Sequence, residues 1–283
     1  MKQYQHFIPQ WAWEPVHPLD IHVVGCGGTG SNLLIQLAKI NLALHKLGHP
    51  GIHVTAWDGD KVDEFNPGRQ SFSDADIGLH KTTVLIERIN RFHGFDWTAK
   101  TEYVTQQTVM EGHAQVVKNT GSENQNPIFM VIGCVDNLHT RDGLARCSKF
   151  NSASYYLDFG NDADYGQFLL WNTSKIEQPP KEELSVPTRA NLKNLWERFG
   201  IARNRWESNR KGRHANDKAR VTDRTDMPSC SQAEALTKQD LFVNATLAIA
   251  GANFIWKLIR QKVTTIQGAS INLTTFQNGT YSI

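Results

Sequence analysis

A glycine-rich turn between a strand and a helix constrains the fold of this chain more than any other feature. The apolar run at residues 21–24 leads into Gly25-Cys-Gly-Gly-Thr-Gly30, and an amphipathic helical pattern follows over residues 31–47. A second apolar run covers residues 52–57. Strand, helix and strand in this order predict a βαβ unit, in which the two strands lie parallel and the crossover is right-handed.

The same alternation continues to about residue 171. The run at 128–132 is continuously apolar, as expected of a central strand that is buried on both faces. The other predicted elements are strands at 98–104, 155–159 and 167–171, and helices at 80–91, 107–118 and 137–150. We therefore predict an α/β fold with a Rossmann-like, doubly wound, mainly parallel sheet.

The composition changes after this core. Residues 172–227 contain about 13 Lys and Arg against about 8 Asp and Glu, and apolar residues become sparse. We predict a charged, mobile insertion there. A helical pattern at 232–260 and a hairpin at 265–283, with Asn278-Gly279 as its turn, come next. The predicted divisions are an amino-terminal segment 1–20, a core 21–171, the insertion 172–227, and a segment 228–283 that completes the core domain.

Charge and cysteine content exclude several classes of protein. Thirty basic and 28 acidic residues leave a net charge of +2, which provides no general attraction to nucleic acid or to an anionic membrane. The four cysteines, of which Cys26, Cys134 and Cys147 lie in the predicted core, form no Cys-x-x-Cys pair, so a zinc site of the usual spacing is not expected. The apolar run at 245–259 is shorter than the ~20 residues of a membrane span. We expect a soluble cytoplasmic protein.

The glycine turn predicts a phosphate-binding site. Gly25, Gly27, Gly28 and Gly30 allow backbone N–H groups to approach a phosphate, and the amino terminus of the following helix favours negative charge. NAD-, FAD- and ATP-binding folds share such turns, and a glycine turn with no ligand is also possible. The turn alone therefore does not identify the nucleotide.

Charged residues after the second strand favour a triphosphate. Asp58 stands where a carboxylate accepts the ribose hydroxyls of a nucleotide, and Asp60 follows it. The next polar and basic residues are Asn66, Arg69, Gln70 and Lys81. Hydride transfer needs no such cations, whereas cleavage of a triphosphate does, because charge on the phosphates must be neutralised. The alternative for Arg69 and Lys81 is a pair of solvated loop residues.

Asp136 follows the most apolar strand, at the edge of the sheet where ligands bind in open α/β folds. A carboxylate there can hold Mg²⁺ that bridges phosphates, or it can cap the helix that follows. Both roles are compatible with the sequence.

The ordered set of these residues resembles the ThiF/MoeB/HesA superfamily of ubiquitin-activating-type adenylating enzymes. The resemblance covers roughly residues 20–160 and the helix and hairpin after Cys230. The insertion, the amino-terminal segment and the context of Cys230 resemble most the ThiF-related proteins of the PRTRC cassettes on bacterial mobile elements. The resemblance to the superfamily is carried by the glycine turn with Ser31, Asp58-x-Asp60, Asn66-x-x-Arg69-Gln70, Lys81, and Asp136-Asn137 with Arg141.

The resemblance implies ATP and Mg²⁺ as cofactors, a small ubiquitin-like (β-grasp) protein as partner, and a homodimer. It implies that the turn glycines hold the triphosphate, that Asp58 holds the ribose, and that Asp136 holds Mg²⁺. Asn66, Arg69 and Lys81 would stabilise the phosphates. Residues 1–20 contain Lys2 but no arginine, although an amino-terminal arginine reaches the partner's site in the MoeB-like dimers.

Cys230 is the remaining candidate catalytic residue. The pattern Ser231-x-x-Glu234 is that of a capping box, which would put the thiol at a helix amino terminus, where the dipole favours thiolate. Some members of the resembled family pass the acyl group to a cysteine at this place in the chain. The alternative is an inert thiol at a helix start.

Four functions therefore stay open, in descending order of support. The first is ATP-dependent adenylation of the carboxyl terminus of a ubiquitin-like protein. The second is adenylation or dehydration of a small-molecule, nucleoside or peptide carboxylate. The third is a nucleotide-binding interaction module that uses the basic insertion. The last is a nicotinamide oxidoreductase, which Arg69, Lys81 and Asp136 disfavour.

Overall fold

The computed structural model describes residues 3–104, 128–136, 141, 153–194, 197–198 and 240–283. The predicted helices at 107–118 and 137–150, apart from Arg141, lie outside the described residues. So do Cys147, Cys230 and most of the predicted insertion.

A mixed sheet forms the centre of the molecule and confirms the predicted Rossmann-like α/β fold. The order of its eight described strands is β10-β9-β7-β6-β5-β2-β3-β4. The neighbours from β4 to β6 are parallel, and β7, β9 and β10 extend the sheet with antiparallel pairs. The strands are β2 (Leu19–Val24), β3 (Ile52–Trp57), β4 (Thr98–Lys100), β5 (Ile128–Gly133), β6 (Ala153–Asn161), β7 (Tyr165–Asn172), β9 (Ile266–Asn272) and β10 (Gln277–Ser282).

The centre of the sheet is where the strand order reverses. From β2 the chain moves outward to β3 and β4, and it later returns to the other side of β2 to form β5 and β6. Val24 pairs with Trp57 of β3 and with Gly133 of β5, so the carboxyl ends of these three strands lie at one level. Every residue of β2 and β5 is buried, as the apolar run at 128–132 predicts. Ligands bind at such a reversal point in open α/β sheets.

Two long helices pack against one another beside this sheet. Helix α1 (Gly28–Lys46) buries a stripe that includes Leu33, Leu37 and Leu44, and it contacts α3 (Val243–Gln261). Helix α2 (Lys81–His93) ends at Gly94, whose φ of 72° gives the left-handed conformation common at helix ends. The burial of these apolar stripes explains the helical periodicity of the sequence.

The amino-terminal segment is tied to later parts of the chain. Strand β1 (His6–Phe7) pairs with β8 (Val263–Thr264), just after α3. The Gln5 N–H donates to the Pro187 carbonyl at 3.0 Å, and the Arg189 N–H donates to the Gln5 carbonyl at 2.9 Å. Residues 3–8 therefore join the chain after β7 to the end of α3. The sequence gives no periodic signal for this arrangement.

The predicted turn of the carboxyl-terminal hairpin is wrong. Asn278 and Gly279 lie inside β10, where they pair with Ile271 and Ser270. The turn is formed by residues 273–276, because Asn272 Oδ1 accepts the Thr275 N–H at 2.8 Å and Phe276 adopts a φ of 53°. The side chain of Asn272 thus stabilises a four-residue turn that ends two positions before Asn278.

Helix α3 begins at Val243 within the described residues, where the sequence predicted a helix from 232. Residues 240–242 are not helical, and 232–239 lie outside the described part. None of the described helices is both long and apolar enough to cross a membrane.

Candidate functional site

The glycine turn lies at the reversal point of the sheet and packs tightly against the end of β5. Gly25 has a φ of 90°, and a Cβ atom there would lie 2.8 Å from the Cys134 carbonyl oxygen. A Cβ atom at Gly30 would overlap the Gly25 carbonyl oxygen. These two glycines are therefore required by the conformation and packing of the turn itself.

Gly27 has a different environment. A Cβ atom built on this residue meets no atom of the described residues within 4 Å, so none of them fills this side of the turn. The first hydrogen bond of the helix is the one that the Ser31 N–H donates to the Gly27 carbonyl at 3.0 Å. The N–H groups of the helical residues before Ser31 have no acceptor within the helix. At the positive end of a 19-residue helix, such groups can bind an anion.

Asp58 links the turn to the end of β3. Its Oδ2 accepts the Cys26 N–H at 2.6 Å, and its Oδ1 accepts the Asp60 N–H at 2.9 Å. Burial raises the pKa of Asp58, although these two N–H groups act to lower it. Each carboxylate oxygen can accept a further hydrogen bond, so the predicted contact with ribose hydroxyls remains compatible with this geometry.

Lys81 is paired with Asp60. Its Nζ lies 3.1 Å from Asp60 Oδ2, and the lysine is only 7% exposed. The hydroxyl of Tyr103 donates to Asp60 Oδ1 at 2.5 Å, and its ring lies over Gly59, where a Cβ atom would approach the ring to 2.8 Å. A phosphate bound by Lys81 would therefore compete with Asp60 for the ammonium group.

Sequence analysis missed Tyr103. The residue follows β4, which pairs in parallel with β3, so the two strand ends are adjacent. The predicted adjacency of these two strand ends is the only feature of the sequence that could have pointed to a contact between Tyr103 and Asp60, because their separation along the chain does not indicate one.

The loop after β3 folds back onto the first turn of α1. The Ser71 N–H donates to Ser31 Oγ at 3.2 Å, which brings Arg69 and Gln70 beside the glycine turn. Arg69 Nε and Gln70 Oε1 are buried and have no hydrogen-bond partner within the part of the chain that the structure describes. Unsatisfied buried polar atoms are costly: a phosphate or a water molecule would satisfy the Arg69 N–H group, and the O–H of a water molecule would satisfy the Gln70 oxygen.

Asn66 is engaged elsewhere. Its Nδ2 donates to Asp63 Oδ1 at 2.5 Å, and its Oδ1 accepts the Asp63 N–H at 3.2 Å. These bonds hold the loop that carries Arg69, and they leave the second N–H of Asn66 Nδ2 as the donor that could contact a phosphate.

Asp136 is exposed and follows β5. The Cys134 N–H, two residues earlier, donates to the Val24 carbonyl at 2.8 Å and fixes the strand end beside the glycine turn. Among the described residues, no three His, Cys, Asp or Glu side chains form a group that could hold a metal ion. One carboxylate nevertheless fits Mg²⁺, which commonly takes one or two carboxylates together with phosphate oxygens and waters.

Arg141 is held away from solvent by a buried partner. Its Nε donates to Asp158 Oδ1 at 3.0 Å, and a second nitrogen contacts the other oxygen of the same carboxylate. Burial raises the pKa of Asp158, although Arg141 counteracts the shift. The guanidinium would have to leave this pair to reach a phosphate.

The described cysteines are not candidate nucleophiles. Cys26 is fully buried, and burial raises its pKa well above the usual range. Burial also raises the pKa of Cys134. Both thiols stay protonated at neutral pH, and the predicted nucleophile, Cys230, lies outside the described residues.

The structure thus brings most of the predicted residues to one edge of the sheet. The glycine turn contacts Asp58 through Cys26, Asp60 holds Lys81, and the 69–71 loop contacts α1 through Ser31. Residues 4–157 match the model of the ThiF family. The chain belongs to the ThiF family. Its closer resemblance to the PRTRC members stays a prediction.

Two curated relatives share the name ubiquitin-like modifier-activating enzyme 5. The protein of Drosophila ananassae is 26% identical over 142 residues, which are 49% of this chain and 33% of the relative. The protein of Aedes aegypti is 25% identical over 130 residues, which are 46% of this chain and 30% of the relative. The matched region thus spans about a third of the length of these relatives.

Solved structures show the same fold over nearly the whole chain. Escherichia coli MccB with ATP has a TM-score of 0.53 and 14% identity, and the match covers 96% of this chain and 64% of MccB. MccB in complex with N-formylated MccA gives a TM-score of 0.53 at 15% identity, with 96% and 65% covered. PaaA gives a TM-score of 0.54 at 13% identity, with 96% and 65% covered.

Proposed function

We propose that this chain binds ATP at the glycine turn and uses it to adenylate a carboxylate. The proposal is carried by the α1 amino terminus at the reversal point of the sheet: Ser31 in its first turn bonds the loop that carries Arg69, and Asp60 holds Lys81 just after the neighbouring strand β3. Membership of the ThiF family and the fold shared with MccB, which is solved with ATP, support the choice of nucleotide.

We assign the roles as follows. Gly25, Gly27, Gly28 and Gly30 form the cradle of the triphosphate, with Gly27 at its open side. Asp58 accepts the ribose hydroxyls, and the Gln70 oxygen contacts the phosphates through a bridging water molecule. Asn66 and Asp60 hold the residues that carry positive charge. Mg²⁺, held by Asp136, would supply further charge compensation.

The reaction needs no general base. A substrate carboxylate is already ionised at pH 7, and its oxygen attacks the α-phosphorus of ATP. A P–O bond to the α-phosphate forms, the bond from that phosphorus to the bridging oxygen of the β-phosphate breaks, and pyrophosphate leaves with the electron pair. Arg69 and Lys81 stabilise the charge that develops on the leaving group, so catalysis is alignment and electrostatic stabilisation.

Lys81 is held ready for this role. Its contact with Asp60 holds the ammonium group in place at 3.1 Å although the side chain is buried. A bound triphosphate, with more negative charge than one carboxylate, draws the ammonium group away from Asp60. Tyr103 stays bonded to Asp60 and compensates that carboxylate in part.

The substrate class that we propose is the carboxyl terminus of a small ubiquitin-like protein. The names of the two curated relatives support it. Transfer to Cys230 and a homodimer extend this proposal, and both rest on the sequence pattern alone. A peptide carboxylate is a second candidate, supported by the fold of MccB, whose structure with N-formylated MccA aligns with 96% of this chain.

ATP–pyrophosphate exchange tests the proposal. The full chain, Mg·ATP and labelled pyrophosphate are incubated with a ubiquitin-like protein ending in Gly-Gly, or with a peptide as the second candidate substrate. We expect exchange that depends on the substrate's free carboxyl terminus and is absent when that terminus is amidated. Thermal stabilisation by NAD and none by Mg·ATP would contradict adenylation.

A further inference from the structure

A buried asparagine of α3 contacts the glycine turn from outside the region that the family model matches. Asn244 lies in the first turn of α3 and is 3% exposed. Its Oδ1 accepts the Thr29 hydroxyl at 2.9 Å and the Asn161 Nδ2 group at 2.9 Å. One amide oxygen thus joins α1, the end of β6 and the start of α3.

Asn244 also explains why residue 28 is glycine. A Cβ atom at Gly28 would lie 2.6 Å from Asn244 Nδ2 and 2.7 Å from its Cγ. The amide of Asn244 therefore occupies the volume that a side chain at position 28 would need. At Gly27, by contrast, the same volume is open. The two adjacent glycines therefore differ: none of the described residues fills the space beside Gly27, whereas Asn244 fills the space beside Gly28.

We propose that Asn244 is a positioning residue for the triphosphate, an inference that rests on the proposed function. Its contacts fix Gly28 and Thr29, whose backbone N–H groups lie in the first turn of α1. Fixed donors stabilise a phosphate better than mobile ones, because they need no reorganisation when the charge arrives. Asn244 acts through the turn and does not touch the nucleotide.

The place of Asn244 in the chain makes it a link between two parts of the protein. Residues 4–157 carry the family match, whereas Asn244 follows the undescribed residues 199–239 and begins the element that completes the domain. A shift of the α3 amino terminus therefore moves the phosphate donors. The carboxyl-terminal element is part of the nucleotide site, not only part of the core.

The test is Asn244→Asp in the full chain, measured by ATP titration calorimetry and by substrate-dependent pyrophosphate exchange. The carboxylate keeps the shape and still accepts from Thr29 and Asn161, but it adds a negative charge beside the phosphate donors. Repulsion between this charge and the phosphates should raise the KM for ATP and lower kcat/KM by about tenfold or more, as expected of like charges at short range in a partly buried site. Displacement of the donors themselves is tested by the Thr29 variants below. Asn253→Asp, on the exposed side of the same helix, is the matched control and should leave both values unchanged.

A second pair of variants keeps α3 intact. Thr29→Val removes the hydroxyl that donates to Asn244 and should weaken ATP binding, whereas Thr29→Ser keeps the donor and should restore it. Unchanged ATP affinity in both Asn244→Asp and Thr29→Val, beside a wild-type chain that binds ATP, would overturn the role of Asn244 alone. Failure of the wild-type chain to bind ATP would overturn the proposed function as well, and the two results are distinguishable by that measurement.

Discussion

At the residue scale, the glycines of the turn differ in what surrounds them. The motif spacing predicted a turn of this kind, but it treated its four glycines alike. The structure separates Gly25 and Gly30, which pack against backbone, from Gly28, which packs against a side chain, and from Gly27, which faces open space. The identity of those neighbours is not encoded in the motif, since Asn244 lies more than 200 positions away.

Gly27→Ala and Gly30→Ala should therefore affect different properties of the protein: the first should weaken ATP binding, and the second should lower stability. Alanine at 27 meets no atom of the described residues within 4 Å, so the melting temperature should fall less than in Gly30→Ala while ATP binding weakens. Alanine at 30 overlaps the Gly25 carbonyl oxygen and should destabilise the fold by ~1–3 kcal/mol or more. Thermal melts with and without Mg·ATP measure both effects. A Gly27→Ala protein that binds ATP as tightly as the wild type would show that the open space is not a phosphate site.

Lys81 provides the second prediction at this scale. Lys81→Met keeps the length of the side chain and removes its charge, so we expect pyrophosphate exchange to fall by about 10²–10³-fold, the loss typical of one transition-state charge partner. The control is Lys39→Met in α1, where the lysine is exposed and contacts only Gln36 in the described part. Equal exchange rates in the two variants would assign Lys81 to the structural pair with Asp60.

At the element scale, the sequence predicted the parts whose signal is local. The β2–α1–β3 unit, the buried strand β5 and the amphipathic helix α2 each follow from periodicity within a short window, and the structure has them within a few residues of the predicted bounds. The site residues that come directly after these strands, Gly25 to Gly30 and Asp58, were found for the same reason.

Elements set by distant contacts were missed. Strand β1 has two residues and exists because β8 lies beside it, and no window of sequence around His6 predicts that pairing. The turn at 273–276 was missed because the Asn278-Gly279 pair is a stronger local signal than the hydrogen bonds of Asn272. Tyr103 and Asn244 belong to the same class, because each is defined by a partner in another element.

The β1 contact makes stability depend on pH. His6 Nδ1–H donates to the Arg189 carbonyl at 2.6 Å, and Nε2 accepts the Tyr155 hydroxyl at 2.8 Å, so the ring is bound in its neutral form. Burial lowers the pKa of His6, although the bond to Arg189 opposes the shift. The unfolded chain therefore binds a proton that the folded chain does not, and the stability from this group is lost as pH falls below about 6.5.

His6→Gln should remove that part of the pH dependence. We expect the free energy of unfolding, measured by urea titration at pH 7.5 and pH 5.5, to fall less in the variant than in the wild type. His53→Gln is the contrast, because the neighbouring Asp20 raises the pKa of His53 against the effect of burial. A histidine whose pKa is raised on folding stabilises the folded state at pH values below its pKa in the unfolded chain. Removing His53 should therefore make the free energy of unfolding fall more steeply between pH 7.5 and pH 5.5. Equal pH dependence in His6→Gln and wild type would contradict the role of His6.

At the scale of the whole molecule, the first described residues close against two later parts of the chain. The Ile8 N–H donates to the Lys262 carbonyl at 3.0 Å, directly after α3, while Gln5 pairs with residues 187 and 189. Gln178 adds a two-point contact: its Oε1 accepts the Phe7 N–H at 2.8 Å, and its Nε2 donates to the Phe7 carbonyl at 3.1 Å. The first residues thus hold the start of the predicted insertion and the end of α3, the helix that carries Asn244.

This closure predicts where a protease can act on the native protein. Residues 173–194 belong to the segment predicted from sequence to be a mobile insertion, but the Arg189 backbone is bonded to Gln5, and its guanidinium lies 4.2 Å from the centre of the Tyr4 ring. Trypsin should therefore spare Lys181 and Arg189 in the wild type, because a cleavage site must leave its backbone bonds to enter a protease. Gln178→Ala removes both bonds to Phe7, and we expect cleavage at these two sites to become faster. Timed digestion with mass spectrometry measures it, and Gln277→Ala, an exposed glutamine of β10, is the control. Early cleavage at Arg189 in the wild-type protein would contradict the closure, since the amino-terminal segment would then not be holding this stretch in solution.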